Sequence, residues 1–160
     1  MRIRPYHTAD WQRICAVHDA ARRFELEASG LADAFLTLEE TGEAEGLFEA
    51  TLLVAEIDGE VAGFAGFTDD EITWLYVDPA RYRQGIGRAL LDAMLRASGM
   101  PLSLDVLVGN TAALALYQSA GFKIVETISG KLAGNEQFAA TAHVLHNSNS
   151  LLGNSIAGQD

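Results

Sequence analysis

The sequence predicts a single domain of mixed α/β class, and three observations carry that expectation. With 160 residues, 49% of them apolar, the chain has the length of one domain and ample material for one core. Apolar runs of strand type alternate with runs at helical spacing, in the order β-α-α-β-β-β-α-β-α-β-β. Between two of the strand-like runs stands Asp58-Gly59, a dipeptide suited to the positive φ angles of a tight hairpin.

Taken in order, Arg2-Ile3-Arg4 reads as a short strand. Thr8 or Asp10 then caps a helix running to about Phe24, with Trp11, Ile14, Cys15 and His18 near one face. A second helix is expected after Gly30, because Leu31, Phe35 and Leu38 recur at helical spacing until Gly42 and Gly46 break the pattern. Thr51 to Glu56 and Val61 to Phe67 are the two strands of the hairpin, and Ile72 to Val77 is the next strand. Ile86, Leu90, Met94 and Ala97 mark the core face of a long helix. Pro101 to Val108 is a fifth strand, Thr111 to Ala120 a short helix, and Phe122 to Thr127 a sixth strand. A seventh, Phe138 to Leu145, pairs with it across the turn-rich Ser129 to Asn135. The domain is expected to span residues 1–146, and residues 147–160 read as a polar, mobile tail.

Charge and composition exclude several classes of function. A net charge of −11 disfavours nucleic acid, whose phosphates are held by basic faces, and favours cationic partners. Glu39, Glu40, Glu43, Glu45 and Glu49 cluster ahead of the hairpin and read as an exposed helix and loop. The longest uncharged apolar runs fall far short of the roughly 18 residues of a membrane span. Met1-Arg2-Ile3-Arg4-Pro5 has no signal-peptide apolar region, so a cytoplasmic chain without a membrane partner is expected. Cys15 is the single cysteine, which rules out an internal disulfide and a cysteine metal cluster. His143 and His146, three apart on a strand, point to opposite faces and form no chelate. No metal is expected.

The chemistry concentrates in Arg81-Tyr82-Arg83-Gln84-Gly85-Ile86-Gly87-Arg88. Arg81, Arg83 and Arg88 are three of the chain's eleven basic residues, set in a turn with two glycines that opens into a helix. Glycines let backbone approach a ligand closely, and the helix start aims unpaired N–H groups and a positive dipole end at it. This is an anion site suited to phosphate. A Walker loop would need Lys-Ser/Thr after Gly87, where Arg88-Ala89 stands. A Rossmann turn would need a third glycine where Leu90 stands and a first glycine close behind the strand, whereas Gly85 lies eight positions past Val77. Asp105, at the spacing of a ribose-binding acid, is then a coincidence.

Val77-Asp78-Pro79 followed by Gln84-Gly85-Ile86-Gly87-Arg88-Ala89-Leu90-Leu91 resembles the pyrophosphate loop of the GCN5-related N-acetyltransferase (GNAT) superfamily. A second block, Asn110-Thr111-Ala112-Ala113-Leu114-Ala115-Leu116-Tyr117-Gln118-Ser119-Ala120-Gly121-Phe122, is similar to that family's next motif in sequence and order. The resemblance is specific from about Ile72 to Phe122. Tyr82 departs from it, standing where the family has Gln or Arg, with Arg81 or Arg83 available to replace that contact.

The resemblance implies a single-domain GNAT-like α/β fold: a mixed central sheet of about seven strands, the fourth and fifth splayed, flanked by about four helices. It implies acetyl-CoA as cosubstrate, its pyrophosphate held by Gln84, Gly85, Ile86, Gly87 and Arg88 and its pantetheine arm lying in the splay. A backbone N–H near Val77 would hydrogen-bond the thioester oxygen, Asn110 would contact the cofactor arm as well as capping its helix, and Tyr117 would be the acid for the thiolate. For the base, Asp105 stands slightly ahead of Glu71, with Asp70 beside it. The acceptor is expected to be a cationic amine, on a small molecule or a peptide, and a homodimer is compatible with the family. The rival function is a catalytically silent acyl-CoA-binding or sensing module.

Overall fold

The computed structural model describes residues 1–147; residues 148–160, nearly all of the expected tail, lie outside the described residues. Its strands are β1 (Arg2–Pro5), β2 (Thr51–Ile57), β3 (Glu60–Phe67), β4 (Ile72–Val77), β5 (Ser103–Leu107), β6 (Phe122–Lys131) and β7 (Ala139–Asn147). Its α-helices are α1 (Trp11–Ala28), α2 (Leu38–Thr41), α3 (Ile86–Ser98) and α4 (Thr111–Ser119). The strands form two antiparallel sheets, ordered β1-β2-β3-β4 and β5-β7-β6. A single parallel bridge, Glu71 to Ser103, joins β4 to β5, so the mixed character of the expected sheet is confined to one vertex and the splay begins immediately beyond it.

The helices sandwich the first sheet. Val54, Val61, Phe64 and Trp74 pack with Ile14 and Val17 of α1 on one face. Ala55, Ala62 and Ala65 pack with Ile86, Leu90, Leu91 and Met94 of α3 on the other. β3 is therefore buried along nearly its whole length. Gly63 lets α3 come close: a Cβ there would lie 3.0 Å from the Ile86 side chain and 3.1 Å from the Tyr76 carbonyl. Cys15 packs at the edge of the α1 cluster, where burial pushes its thiol up to about 11.

Four elements differ from the expectation. The second helix after Gly30 is absent as a continuous unit. A 3-10 turn at Ala32–Ala34 is followed by an extended Phe35 (φ −60°, ψ 131°) and then by the single turn of α2. Thr37 starts α2 afresh as its N-cap, accepting from the Glu40 amide, so the spacing of Leu31, Phe35 and Leu38 reflects burial of separate turns. α1 in turn runs past Phe24 to Ala28. β6 extends to Lys131, through residues whose Ser and Gly content suggests a turn. Pairing holds it straight, with Ser129 Oγ 2.9 Å from Thr141 Oγ1 and Thr127 Oγ1 2.8 Å from His143 Nδ1. Asn147, read as the first tail residue, is buried and pairs with Phe122 at the end of β7.

Candidate active site

The turn after β4 is built by alternating backbone handedness. Asp78 caps the 3-10 turn Pro79–Arg81, accepting from the Ala80 amide at 3.0 Å. Arg83 (φ 67°) and Gly85 (φ 78°) are then left-handed, which turns successive N–H groups toward one side and makes a concave anion nest. Gly85 is the N-cap of α3 and offers no capping side chain. The first amide to bond back into the helix is that of Ala89, to the Gly85 carbonyl at 3.0 Å. The N–H groups of Ile86, Gly87 and Arg88 are thus left for a ligand at the positive end of the dipole.

The side chains of the turn divide. Gln84 and Arg83 are exposed and Arg81 is half-buried, all three on the rim of the nest. Arg88 turns away, donating to Asp92 at 3.0 Å and to Ser119 Oγ at 3.2 Å, so what it offers is its backbone. Tyr82 packs edge-on against Phe24 of α1 with ring centroids 6.4 Å apart, a role that needs an aromatic rather than the family's Gln or Arg.

Behind the turn lies the splay. Ser103 donates its amide to the Asp70 carbonyl at 2.9 Å, closing the vertex. At the far end of β4, Asp78 N–H bonds the Ala62 carbonyl at 2.8 Å. By antiparallel alternation the Val77 N–H therefore points away from β3 into the open edge. A Cβ on Gly87 would lie 3.4 Å from Leu116 and 3.7 Å from Val77 side-chain carbons, so this glycine looks across the same gap. Asn110 caps α4, its Oδ1 accepting from the Ala113 amide at 3.3 Å. Tyr117 lies buried on that helix, its ring edge-on to Phe122 at 5.7 Å. Burial, with the nearby Glu25 carboxylate, raises its phenol well above the ordinary value and keeps it protonated.

On the opposite side of β4 a cavity of about 420 Å³ opens between α1, β4, β5 and the β6–β7 hairpin. Glu71 and Asp105 both line it. Asp105 is exposed while its neighbours Leu104 and Val106 are buried, and the face it occupies is the cavity wall. Burial raises both carboxyls, and for Glu71 the charges of Asp105 and Asp70 raise it further. The hairpin is fastened over the cavity: Asn135 Nδ2 donates to the Ala34 carbonyl at 3.0 Å, and Leu132 is buried with Leu26 and Ala34. Among the described residues no group of three His, Cys, Asp or Glu could hold a metal ion.

One residue at this site escaped the sequence reading. Glu25, just past the expected end of α1, accepts from Arg22 Nη1 and from Tyr76 Oη at 3.2 Å with one oxygen, and from Asn110 Nδ2 at 3.2 Å with the other. The signal was the unbroken run Phe24 to Ala28, which contains neither Gly nor Pro, with Leu26 continuing the apolar face. His18 is packed as expected, 4.8 Å from the Tyr76 ring, and burial lowers its pKa so that it stays neutral.

An uncapped helix start, an unpaired strand edge and an acidic cavity give this α/β protein a cleft between β4 and β5 whose chemistry suits an extended anionic ligand. A family model described as acetyltransferase (GNAT) domain matches residues 48–124. The chain is 33% identical over 120 residues to the peptidyl-lysine N-acetyltransferase YjaB of Salmonella typhimurium, covering 72% of this chain and 74% of that protein. It therefore belongs to the GNAT acetyltransferase family. It is also 40% identical over 80 residues to the N-alpha-acetyltransferase RimI of Mycobacterium tuberculosis, covering 44% of this chain and 51% of that one. The match thus spans about half of the RimI chain. Among solved structures, that of yncA from Salmonella typhimurium with its cofactor acetyl-CoA shares the fold, with a TM-score of 0.64 at 22% identity, covering 91% of this chain and 92% of that one.

Proposed function

We propose that the chain is an acetyl-CoA-dependent N-acetyltransferase acting on a primary amine that is cationic in solution, carried by a small molecule or a peptide. The observation that carries this reading is the seriality of the site. The uncapped turn Gly85 to Arg88 follows the far end of β4, the Glu71/Asp105 wall lies by the vertex at its near end, and Tyr117 is buried on α4. The relatives named above act on an N-terminal α-amine or on lysine, and both are ammonium groups at neutral pH.

Acetyl-CoA would supply the activated acetyl group. The backbone N–H groups of Ile86, Gly87 and Arg88 hold its pyrophosphate, with Arg81, Arg83 and Gln84 at the rim. Val77 N–H faces the thioester oxygen, where a preorganised donor is worth on the order of a few kcal/mol of barrier. Asp105, with Glu71 as its neighbour, accepts the proton that the acceptor ammonium must lose, directly or through one water. Tyr117 returns a proton to the sulfur as the amine nitrogen bonds the acetyl carbon and the C–S bond breaks. The charges balance: one proton leaves the amine, one reaches the thiolate.

The test is a turnover assay with free-thiol detection over a panel of free amines, peptide N-termini and lysine peptides, at two salt concentrations. Thiol release with at least one amine, with a KM that rises with salt, supports the reading. Calorimetric binding of acetyl-CoA with no thiol release over the panel is the behaviour of an acyl-CoA-binding module instead.

A further inference from the structure

Glu25 lines the acceptor cavity, yet its second oxygen reaches out of it to the α4 cap. It belongs to the last turn of α1, which carries no basic residue. A carboxylate there meets the negative end of the helix dipole and is disfavoured by it. Three donors from three elements offset that cost: Arg22 on its own helix, Tyr76 from β4 and Asn110 from the start of α4.

The partner geometry assigns each donor a task. Tyr76 is buried on the face of β4 that packs against α1, and its hydroxyl finds Glu25 across that interface. Asn110 uses its carbonyl oxygen to cap α4 and one amide hydrogen to reach Glu25. Its remaining amide hydrogen is free to face the β4–β5 opening. Two turns further along α4 sits Tyr117. Resting on the reading proposed above, we infer that Glu25 is a positioning residue. It holds the α4 start through Asn110 and β4 through Tyr76, so that the acceptor cavity and the cofactor cleft keep a fixed offset and Tyr117 meets the sulfur.

A link of this kind is read by non-additivity. Asn110→Ser keeps a capping hydroxyl but cannot reach Glu25, and Glu25→Ala removes the hub. Each should lower kcat about tenfold, the acetyl-CoA dissociation constant of Glu25→Ala should change less than about threefold, and the double variant should be no slower than the slower single. Glu25→Gln, close in shape, serves in the same cycle if Glu25→Ala does not fold, as judged by its thermal midpoint. Losses in kcat that multiply in the double variant overturn the inference. So does a folded Glu25→Ala with wild-type kcat and only a lower midpoint, since that is what a purely structural contact would give. A wild-type chain that turns over no amine overturns the catalytic reading first and the positioning role with it, so the two failures are distinct.

Discussion

Glu71 and Asp105 look into one cavity from the two strands that meet where Glu71 bridges Ser103. The pair therefore sits near the vertex from which the cleft opens, and the charge of Asp105 adds to burial in raising Glu71. Both are raised from their ordinary values, by burial first, the direction that suits a general base.

The pH profile of kcat/KM should accordingly rise along a limb belonging to the coupled pair. Asp105→Asn is expected to remove that limb, and Glu71→Gln to leave it in place. The reverse outcome would transfer the base to Glu71, and a limb that survives both substitutions would remove both from the role.

Stability should record the same crowding with opposite sign to a salt bridge. A carboxyl whose pKa is raised on folding contributes fully below its unfolded value of about 4.5, and that contribution is lost as pH rises through the folded value. Glu71→Gln should raise Tm at pH 8 and leave it unchanged at pH 4. Equal shifts at both pH values would show that charge is not the cause.

The opposite behaviour is expected at Asp10. Arg4 grips it through two hydrogen bonds of 2.9 Å each, which hold its pKa below the usual 3.8. This stabilisation is present above that value and lost as pH falls through the depressed one. Asp10→Asn should cost about 2 kcal/mol at pH 7, because Arg4 keeps its Nε pairing with Glu56 but loses charge-assisted bonds to Asp10. Urea titrations at pH 7 and pH 3 should find the gap from wild type narrowing in acid.

Tyr117→Phe should lower kcat by about 10²-fold, the usual scale for losing a positioned proton donor, with acetyl-CoA affinity unchanged. Since no hydrogen bond of its hydroxyl to another described residue is seen, Tm should hardly move. Wild-type kcat at every pH would return Tyr117 to a packing role against Phe122.

Gly87→Glu should abolish acetyl-CoA binding by calorimetry, since its side chain would enter the gap bounded by Val77 and Leu116 beside the phosphate position. Gly85→Ala meets no atom within 4 Å but must keep φ +78°, a strain of about 1 kcal/mol. It should lower Tm by a few degrees and weaken binding modestly. Unchanged affinity in Gly87→Glu would rule out the turn as the anion site.

The strands, the two-glycine turn and both long helices were legible because each rests on local chemistry: alternation, Asp58-Gly59, and Gly85 and Gly87 on either side of Ile86. What stayed hidden depends on partners distant in sequence. Glu25 acquires meaning only when Tyr76 and Asn110 arrive beside it, and the face of β5 that carries Asp105 becomes a cavity wall only where the β6–β7 hairpin closes over it. The missing second helix is the converse case, in which correct spacing at Leu31, Phe35 and Leu38 was satisfied by separate turns.

Asn135 and Ala34 meet across 101 positions of sequence, and that distance bears on how such a protein could be recombined. The turn and splay come from one uninterrupted stretch, which a chimaera could inherit whole. Apart from β4 and β5, the cavity wall comes in two pieces, around residues 18–45 and 128–142, stitched by one amide and the Leu26, Ala34 and Leu132 cluster. Transplanting either piece alone would strand half of that apolar seam in water, so a change of acceptor by grafting has to move both pieces together.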